Sequence, residues 1–482
     1  MKINTEAKIT ILIAIAIIIL SYIKNVSLSP EYQTFWILSS LLLITYTLIR
    51  MFNENLSKND KYIGIAGVVI ILISFIINSE MINDKDMYNS LKPDKVELTK
   101  LKFEQPRAMT KKMAAKIAGN VIGGKINGIQ ISSQYQLDID SAVFQKVNNK
   151  QVIAIPLDYS GFMKWINQDS TPGYVIVSGT NPTEKPIFVK KEMKISKNGY
   201  MFDSIDRVNF IKSGFKRVDT HFEIDDNGVP YYIGLILEPT KFNTIISTTK
   251  VIVTNAETKE SEILSIKDTL KKYPWIDSLK SEDRVLEKIE WFGEYEKGYW
   301  SKVFSGENIN TPTDYNHREL WKVMYNGEMW YFTGMSSVNR NDNSLVEGIL
   351  VNARNNKSLV FDMSGITDES QATGRLLSAL GANAKTWSAI LPQPLVINDN
   401  YYWGAVIVSD HGYFMKVGIV NPKNGLTIFA HSYEEAIKKI DLTNEEENFS
   451  NLSEEETITI SKKKYLEIKR RIAELNNLVE SL

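Results

Sequence analysis

Four histidines, His221, His317, His411 and His431, and a scatter of carboxylates are the residues of this chain whose chemistry reaches beyond packing. None of the histidines has a second ligand at metal spacing, and neither H-E-x-x-H nor the nucleophile elbow G-x-S-x-G occurs. Gly123-Gly124-Lys125 resembles a phosphate loop but lacks its four-residue gap, its preceding strand and the Ser/Thr after Lys. His317, in Tyr315-Asn316-His317-Arg318-Glu319, stands out for its aromatic surroundings and otherwise reads as a surface residue of a polar loop. A glycosidase-type hydrolase needs two carboxyls held at a fixed separation in a cleft. Asp158, Glu223 and Asp410 lie by the ends of predicted strands and are the candidates for that role. Asp225 and Asp226 sit in a turn that lacks the alternating oxygen ligands and terminal Glu of a calcium loop. Cysteine is absent, which removes thiol catalysis, thiolate metal sites and disulfides together. With every mechanistic motif incomplete, the sequence points away from an enzyme and implies no cofactor, no metal and no identified small-molecule substrate.

The elements around these residues say more. The chain has 482 residues, enough for several cores, and 56 basic against 57 acidic side chains, a net charge of −1 that offers no global field to nucleic acid. Three apolar segments, Ile9–Ile23, Thr34–Ile49 and Tyr62–Ile77, carry no internal charge and approach the length that crosses a bilayer as a helix. A signal peptide would account for the first alone, yet no small-residue cleavage site follows it. Lys2, Lys8, Arg50, Lys58 and Lys61 flank one side of these spans and Lys24 the other, which predicts a cytoplasmic N-terminus and an extracytoplasmic body.

Beyond a polar juxtamembrane linker, one pattern recurs four times: an apolar strand, an Asn-led polar turn and a second apolar strand. The copies are Val175–Val189, Val251–Leu264, Gly348–Phe361 and Val417–Ala430, each downstream of a further apolar strand. Thr110 can cap a helix from Met109 to about Val121, Phe202–Ser213 and Gln371–Leu380 are further helix candidates, and Asn148-Asn149-Lys150 and Asp225-Asp226-Asn227-Gly228 read as hairpin turns. From Trp275 to Trp330 the chain is densely aromatic; Trp291, Trp300 and Trp321 form a candidate binding surface, the alternative being that the rings fill the seams between repeats. Near the C-terminus, Tyr465, Ile468, Ile472, Leu475, Val479 and Leu482 recur at spacings of three and four, a coiled-coil seam that implies either self-association or docking on the body.

The stretches VIVTNAETKESEIL and VGIVNPKNGLTIF, through Asn255-Ala256 and, in the third copy, Asn352-Ala353, resemble the signature of PepSY-type domains. That resemblance implies small α+β modules of extracytoplasmic bacterial proteins, found as protease propeptides or membrane-linked regulators. More loosely, KMAAKIAGNVIGG, SGFMKWIN, PGYVIVSGTNP and FEIDDNGVPYY are similar to large membrane proteins of bacteria and their phages.

The expected fold class is therefore α+β. Residues 1–80 hold three transmembrane helices and 81–107 a linker. Residues 108–280 and 281–442 each hold a pair of antiparallel β-sheet units with a packed helix (PepSY/cystatin-like), 443–460 are an acidic tether, and 461–482 a coiled-coil helix. The expected partners are the lipid bilayer and either further copies of the chain or another envelope protein. The expected function is binding or assembly at the bacterial envelope through protein contacts, with regulation or inhibition of an envelope protease as the alternative and a cell-wall hydrolase behind both.

Overall fold

The computed structural model describes residues 5–126, 129–240, 244–313, 320–338 and 344–450, together with Lys464 and Glu467. Three N-terminal helices, α1 (Thr5–Lys24), α2 (Gln33–Phe52) and α3 (Lys58–Ile77), are each long and apolar enough to span a membrane. Small residues bring α2 and α3 together: a Cβ on Gly67 would lie 2.9 Å from the carbonyl oxygen of Ser40, so only glycine permits that approach. Ser57 and Asp60 form a reciprocal capping box at the start of α3, and Asp60 also pairs with Arg50 at 3.2 Å across the α2–α3 turn.

Asn78 and Ser79 interrupt the helix, and α4 (Glu80–Tyr88) follows at once. The expected linker is folded onto the body. It contains α4 and two short strands, β1 (Asp94–Lys95) and β2 (Phe103–Glu104), and buries Met87, Leu91 and Leu101. These apolar residues follow no helical or strand period, and the two short strands between them pair with β18 and β15, more than two hundred residues ahead.

Among the described residues, the body holds four sheets of four or more strands and one two-stranded hairpin sheet. The first unit comprises α5 (Lys111–Gly123), a small hairpin of β3 (Lys125–Ile126) and β4 (Ile129–Gln130), then β5 (Tyr135–Leu137), β6 (Phe144–Val147), β7 (Lys150–Tyr159), α6 (Phe162–Trp165), β8 (Thr171–Ser178) and β9 (Ile187–Met193). In the second, α7 (Ile205–Lys212) precedes β10 (Arg217–Ile224), β11 (Pro230–Pro239), β12 (Ile246–Asn255) and β13 (Ser261–Ser265). After α8 (Ile266–Lys272), the third unit has α9 (Glu282–Glu294), α10 (Tyr299–Phe304), β14 (Asn310–Pro312), β15 (Trp321–Tyr325), β16 (Glu328–Ser337), β17 (Leu345–Asn352) and β18 (Ser358–Asp362). The fourth has α11 (Glu369–Ala379), β19 (Trp387–Ile397), β20 (Asn400–Ser409), β21 (Phe414–Val420) and β22 (Thr427–Ala430), followed by α12 (Tyr433–Ser450).

A helix thus precedes an antiparallel meander in all four units, where sequence periodicity had indicated three. The third sheet alone recruits the N-terminal strands: β1 lies parallel to β18 and β2 antiparallel to β15, so both of its edges are covered.

The recurring Asn has one job. Asn255 Oδ1 accepts from the N–H groups of Glu257 (2.9 Å) and Thr258 (3.1 Å), Asn352 from Arg354 (2.8 Å) and Asn355 (2.9 Å), and Asn421 from Lys423 (2.9 Å) and Asn424 (3.4 Å). Each side chain stands in for a backbone carbonyl and starts the turn between the last two strands of its unit. The two predicted hairpins also form. Asn148 and Asn149 both have positive φ, as a two-residue hairpin with the twist of its strands requires.

Contacts between units are polar as well as apolar. The Asn148 N–H donates to Asp226 Oδ1 (2.8 Å), Lys146 Nζ to the Gly327 carbonyl (2.5 Å), and the Arg107 N–H to Gln393 Oε1 (2.9 Å). One apolar core runs through the first, third and fourth units, with Trp403 fully buried and Phe332 beside it. The described C-terminal helix is α12, which extends to Ser450 through the first residues of the expected tether. The seam residues Tyr465, Ile468, Ile472, Leu475, Val479 and Leu482 lie outside the described residues, and no coiled coil is shown.

Candidate functional site

A cavity of about 610 Å³ opens where the four units meet. Its wall is basic. Arg107, Lys111, Lys112 and Lys116 come from the start of the first unit, Lys280 from the segment between the second and third, and Lys322 from β15. Asp140, Asp219 and Glu282 are the acidic residues of the same wall, and Asp140 and Asp219 are solvent-exposed, whereas Arg107 and Lys322 are buried. The first turn of α5 adds to this field. Thr110 caps the helix by accepting the Met113 N–H at 3.2 Å, and both residues line the cavity with the positive end of the helix dipole.

Lys322 alternates with Trp321 and Val323 along β15, so its side chain takes the face opposite theirs, beside its cross-strand partner Tyr331. Its ammonium donates to Ser278 Oγ at 2.6 Å and lies 5.4 Å from the centre of the Tyr331 ring. Burial pulls the Lys322 ammonium down to about 8, against the carboxylates of Glu223 and Glu282, which hold it up. Lys280 is pulled down to about 7, first by burial and then by the neighbouring Lys288. The Tyr331 hydroxyl donates to the Lys280 carbonyl at 3.2 Å and fixes that stretch of backbone.

Underneath, Glu223 is entirely buried. It accepts from the N–H groups of Asp277 (2.8 Å) and Ser278 (3.0 Å) and lies 3.0 Å from His221 Nε2. This carboxylate anchors the turn that carries Ser278 and Lys280 to the cavity. Asp277 beside it is raised by burial and by the Glu223 charge. Arg107 lies beside the Lys322 backbone, its guanidinium 3.5 Å above the Phe144 ring and donating to the Lys322 carbonyl at 3.4 Å, while Gln393 binds its backbone on both sides. The chemistry offered is recognition of negative charge: two buried cations, four lysines of which Lys112 is exposed and the others half-buried, and a helix N-terminus line one space.

The residues singled out by sequence fall in different places. His221 and His411 line this cavity, and Glu223 is buried beneath it. Asp158 is in the first unit, buried on β7, where it accepts from the N–H groups of Tyr159 and Asn198 at 2.7 Å each, and burial raises it to about 6. Asp410 is exposed in the turn after β20. The three carboxyls stand on or beside three separate sheets. Asp225 accepts from Asn227 and Val229 within its own hairpin turn, and His317 lies outside the described residues.

Of the three tryptophans singled out by sequence, Trp291 is buried against Met87, Ile245 and Tyr295, Trp321 is buried in the cavity wall, and Trp300 is exposed. They do not share one surface. Sequence reasoning missed Arg107, Lys280 and Lys322; the one available signal was Lys322, a charge inside the apolar strand Trp321–Tyr325.

Searches of family models, curated proteins and solved structures match this chain to none of them.

Proposed function

We propose that this protein is a membrane-anchored binding protein of the bacterial cell envelope, which captures an anionic group of a protein partner in the chamber between its four units. The observation that carries this reading is the convergence of Arg107, Lys111, Lys112, Lys116, Lys280 and Lys322 on one cavity. Perturbed titratable groups gathered on one cavity wall, here Lys280 and Lys322, mark a candidate binding site for negative charge.

The charge asymmetry of the helix flanks puts the N-terminus in the cytoplasm and the body outside. The Tyr32 hydroxyl in the α1–α2 loop bonds to the Leu237 carbonyl, and Arg207 binds carbonyls at the end of α1, as three spans require of that loop and the body in either orientation. The acidic and apolar tail is read as the self-association element. Protease shaving of intact cells tests the side: cleavage of the body is expected, and a body left intact while an external control is cut contradicts it. Crosslinking in intact membranes tests the binding. A partner recovered with the wild type should be lost with Lys280→Met/Lys322→Met, and equal recovery would remove the chamber from the account.

A second reading, a regulator or inhibitor of an envelope protease, follows from the strand, Asn-Ala turn and strand stretches at Asn255-Ala256 and Asn352-Ala353, on which the PepSY resemblance rests. It predicts increased envelope proteolysis when the chain is deleted from the cell.

A further inference from the structure

Two short elements of the body expose large apolar side chains side by side. On and after α6 these are Phe162, Met163 and Ile166; before α7 they are Tyr200, Met201 and Phe202, and all six are between 40% and 71% exposed. Ring contacts make them one patch: Phe162 and Tyr200 are 5.0 Å apart between centroids, and Trp165 and Tyr200 5.2 Å. Trp165 Nε1 donates to Asp203 Oδ2 at 3.0 Å and holds the two elements together. Met201 has a φ of 52°, a left-handed conformation that a long side chain adopts only under constraint, and it is presented outward rather than tucked in.

The position of this patch identifies what covers it. Arg207, on the helix that follows Phe202, donates to the Tyr22 carbonyl and, at 3.1 Å, to the Ile23 carbonyl, and its guanidinium lies 4.4 Å above the Tyr22 ring. Those are residues of the last turn of α1, where the first span ends. Lys197, three residues before Tyr200, shares a small cavity with Asn25 of the α1–α2 loop. The patch is therefore tied to the level at which a span leaves the bilayer. A similar feature stands by the exit of α3. Trp300, Val303 and Phe304 are over half exposed on one face of α10, whose other side is joined to α4 through Tyr299 N–H to Asp84 Oδ2 (2.8 Å) and Lys302 to Glu80 (3.4 Å).

We infer that the Phe162–Ile166 and Tyr200–Phe202 patch inserts into the headgroup and upper acyl region of the bilayer. It thereby seats the body on the membrane surface beside its own spans. Aromatic and apolar side chains with lysines at their flanks, here Lys164 and Lys197, have the composition of interfacial anchors. A contiguous apolar patch of this kind is not left to water. The inference rests on the three helices spanning a bilayer and is independent of the basic chamber.

The chain has no cysteine, so single-cysteine variants report one site each. Met163→Cys and Met201→Cys are labelled with an environment-sensitive fluorophore in full-length protein in nanodiscs. Leu12→Cys on α1 and Lys423→Cys in the far turn of the fourth unit serve as references. With lipids carrying a doxyl quencher high on the acyl chain, Leu12, Met163 and Met201 labels should each lose roughly half their emission and the Lys423 label none. Quenching at Leu12 with bright Met163 and Met201 labels would overturn the inference while leaving the spans in place. Shielding of the two patch labels from aqueous iodide without lipid quenching would show a protein covering the patch and would overturn it equally. A bright Leu12 label would overturn the membrane reading itself.

Discussion

Replacing Lys322 with Met is expected to make the protein more stable and its chamber weaker. The fall of the Lys322 ammonium from its ordinary 10.5 to about 8 corresponds to roughly 3 kcal/mol by which the site disfavours the charged form. The variant forfeits the hydrogen bond to Ser278, worth about 1 kcal/mol, so a net gain of about 2 kcal/mol remains at neutral pH. The pH dependence has a definite sign. Because the folded value lies below the unfolded one, the unfolded chain binds more protons between about 8 and 10.5, and wild-type stability rises with pH across that window. The difference between variant and wild type should shrink over the same range. Urea unfolding of the full chain in detergent, followed by tryptophan fluorescence at neutral pH and at about pH 10, measures both quantities. A Lys322→Met protein that is less stable than wild type, or a difference that does not change with pH, would refute the claim that this cation is held against the preference of the fold.

Glu369 offers the same test with opposite sign. Burial raises its carboxyl to about 7, so stability should fall as pH rises from 4.5 to about 7, and Glu369→Gln should be more stable than wild type by roughly 2–3 kcal/mol at about pH 8 and by little near pH 4, as urea unfolding would show. Gly293→Ala should lower stability by about 2–3 kcal/mol, read from the urea midpoint, because its Cβ would lie 2.1 Å from the Asn310 carbonyl oxygen where α9 meets β14. Ile472→Asp with Leu475→Asp should shift the protein to a monomer on a sizing column. An unchanged elution volume would assign the seam to packing within one chain.

The spans and the four strand pairs were legible because their signals are local. An uncharged apolar run of helical length, or an apolar strand with an Asn turn, needs nothing from the rest of the chain to be recognised. The helix of the first unit was legible down to its Thr110 cap for the same reason. The folded linker was not, since Asp94–Lys95 and Phe103–Glu104 become strands only by pairing with β18 and β15. Nor was the chamber. Arg107, Lys280 and Lys322 are separated by 173 and 42 positions, and no basic run marks them; they meet only because four similar units pack around one space. Trp291 and Trp321 show the converse. Their types suggested a surface, while their burial was fixed by which face of α9 and β15 turned inward.

The most direct test of the account is a calorimetric titration of a short polyglutamate peptide into the full-length protein in detergent, carried out at about pH 6 and about pH 9. Lys280 and Lys322 lose their charge as pH rises past about 7 and about 8, so binding should be strong at the lower pH and weakened at least roughly tenfold at the higher. Lys280→Met/Lys322→Met should bring binding at both pH values down to the weakened level of the wild type at the higher pH. Binding that is indifferent to pH and to both substitutions, or no binding by the wild type at the lower pH, would contradict the account.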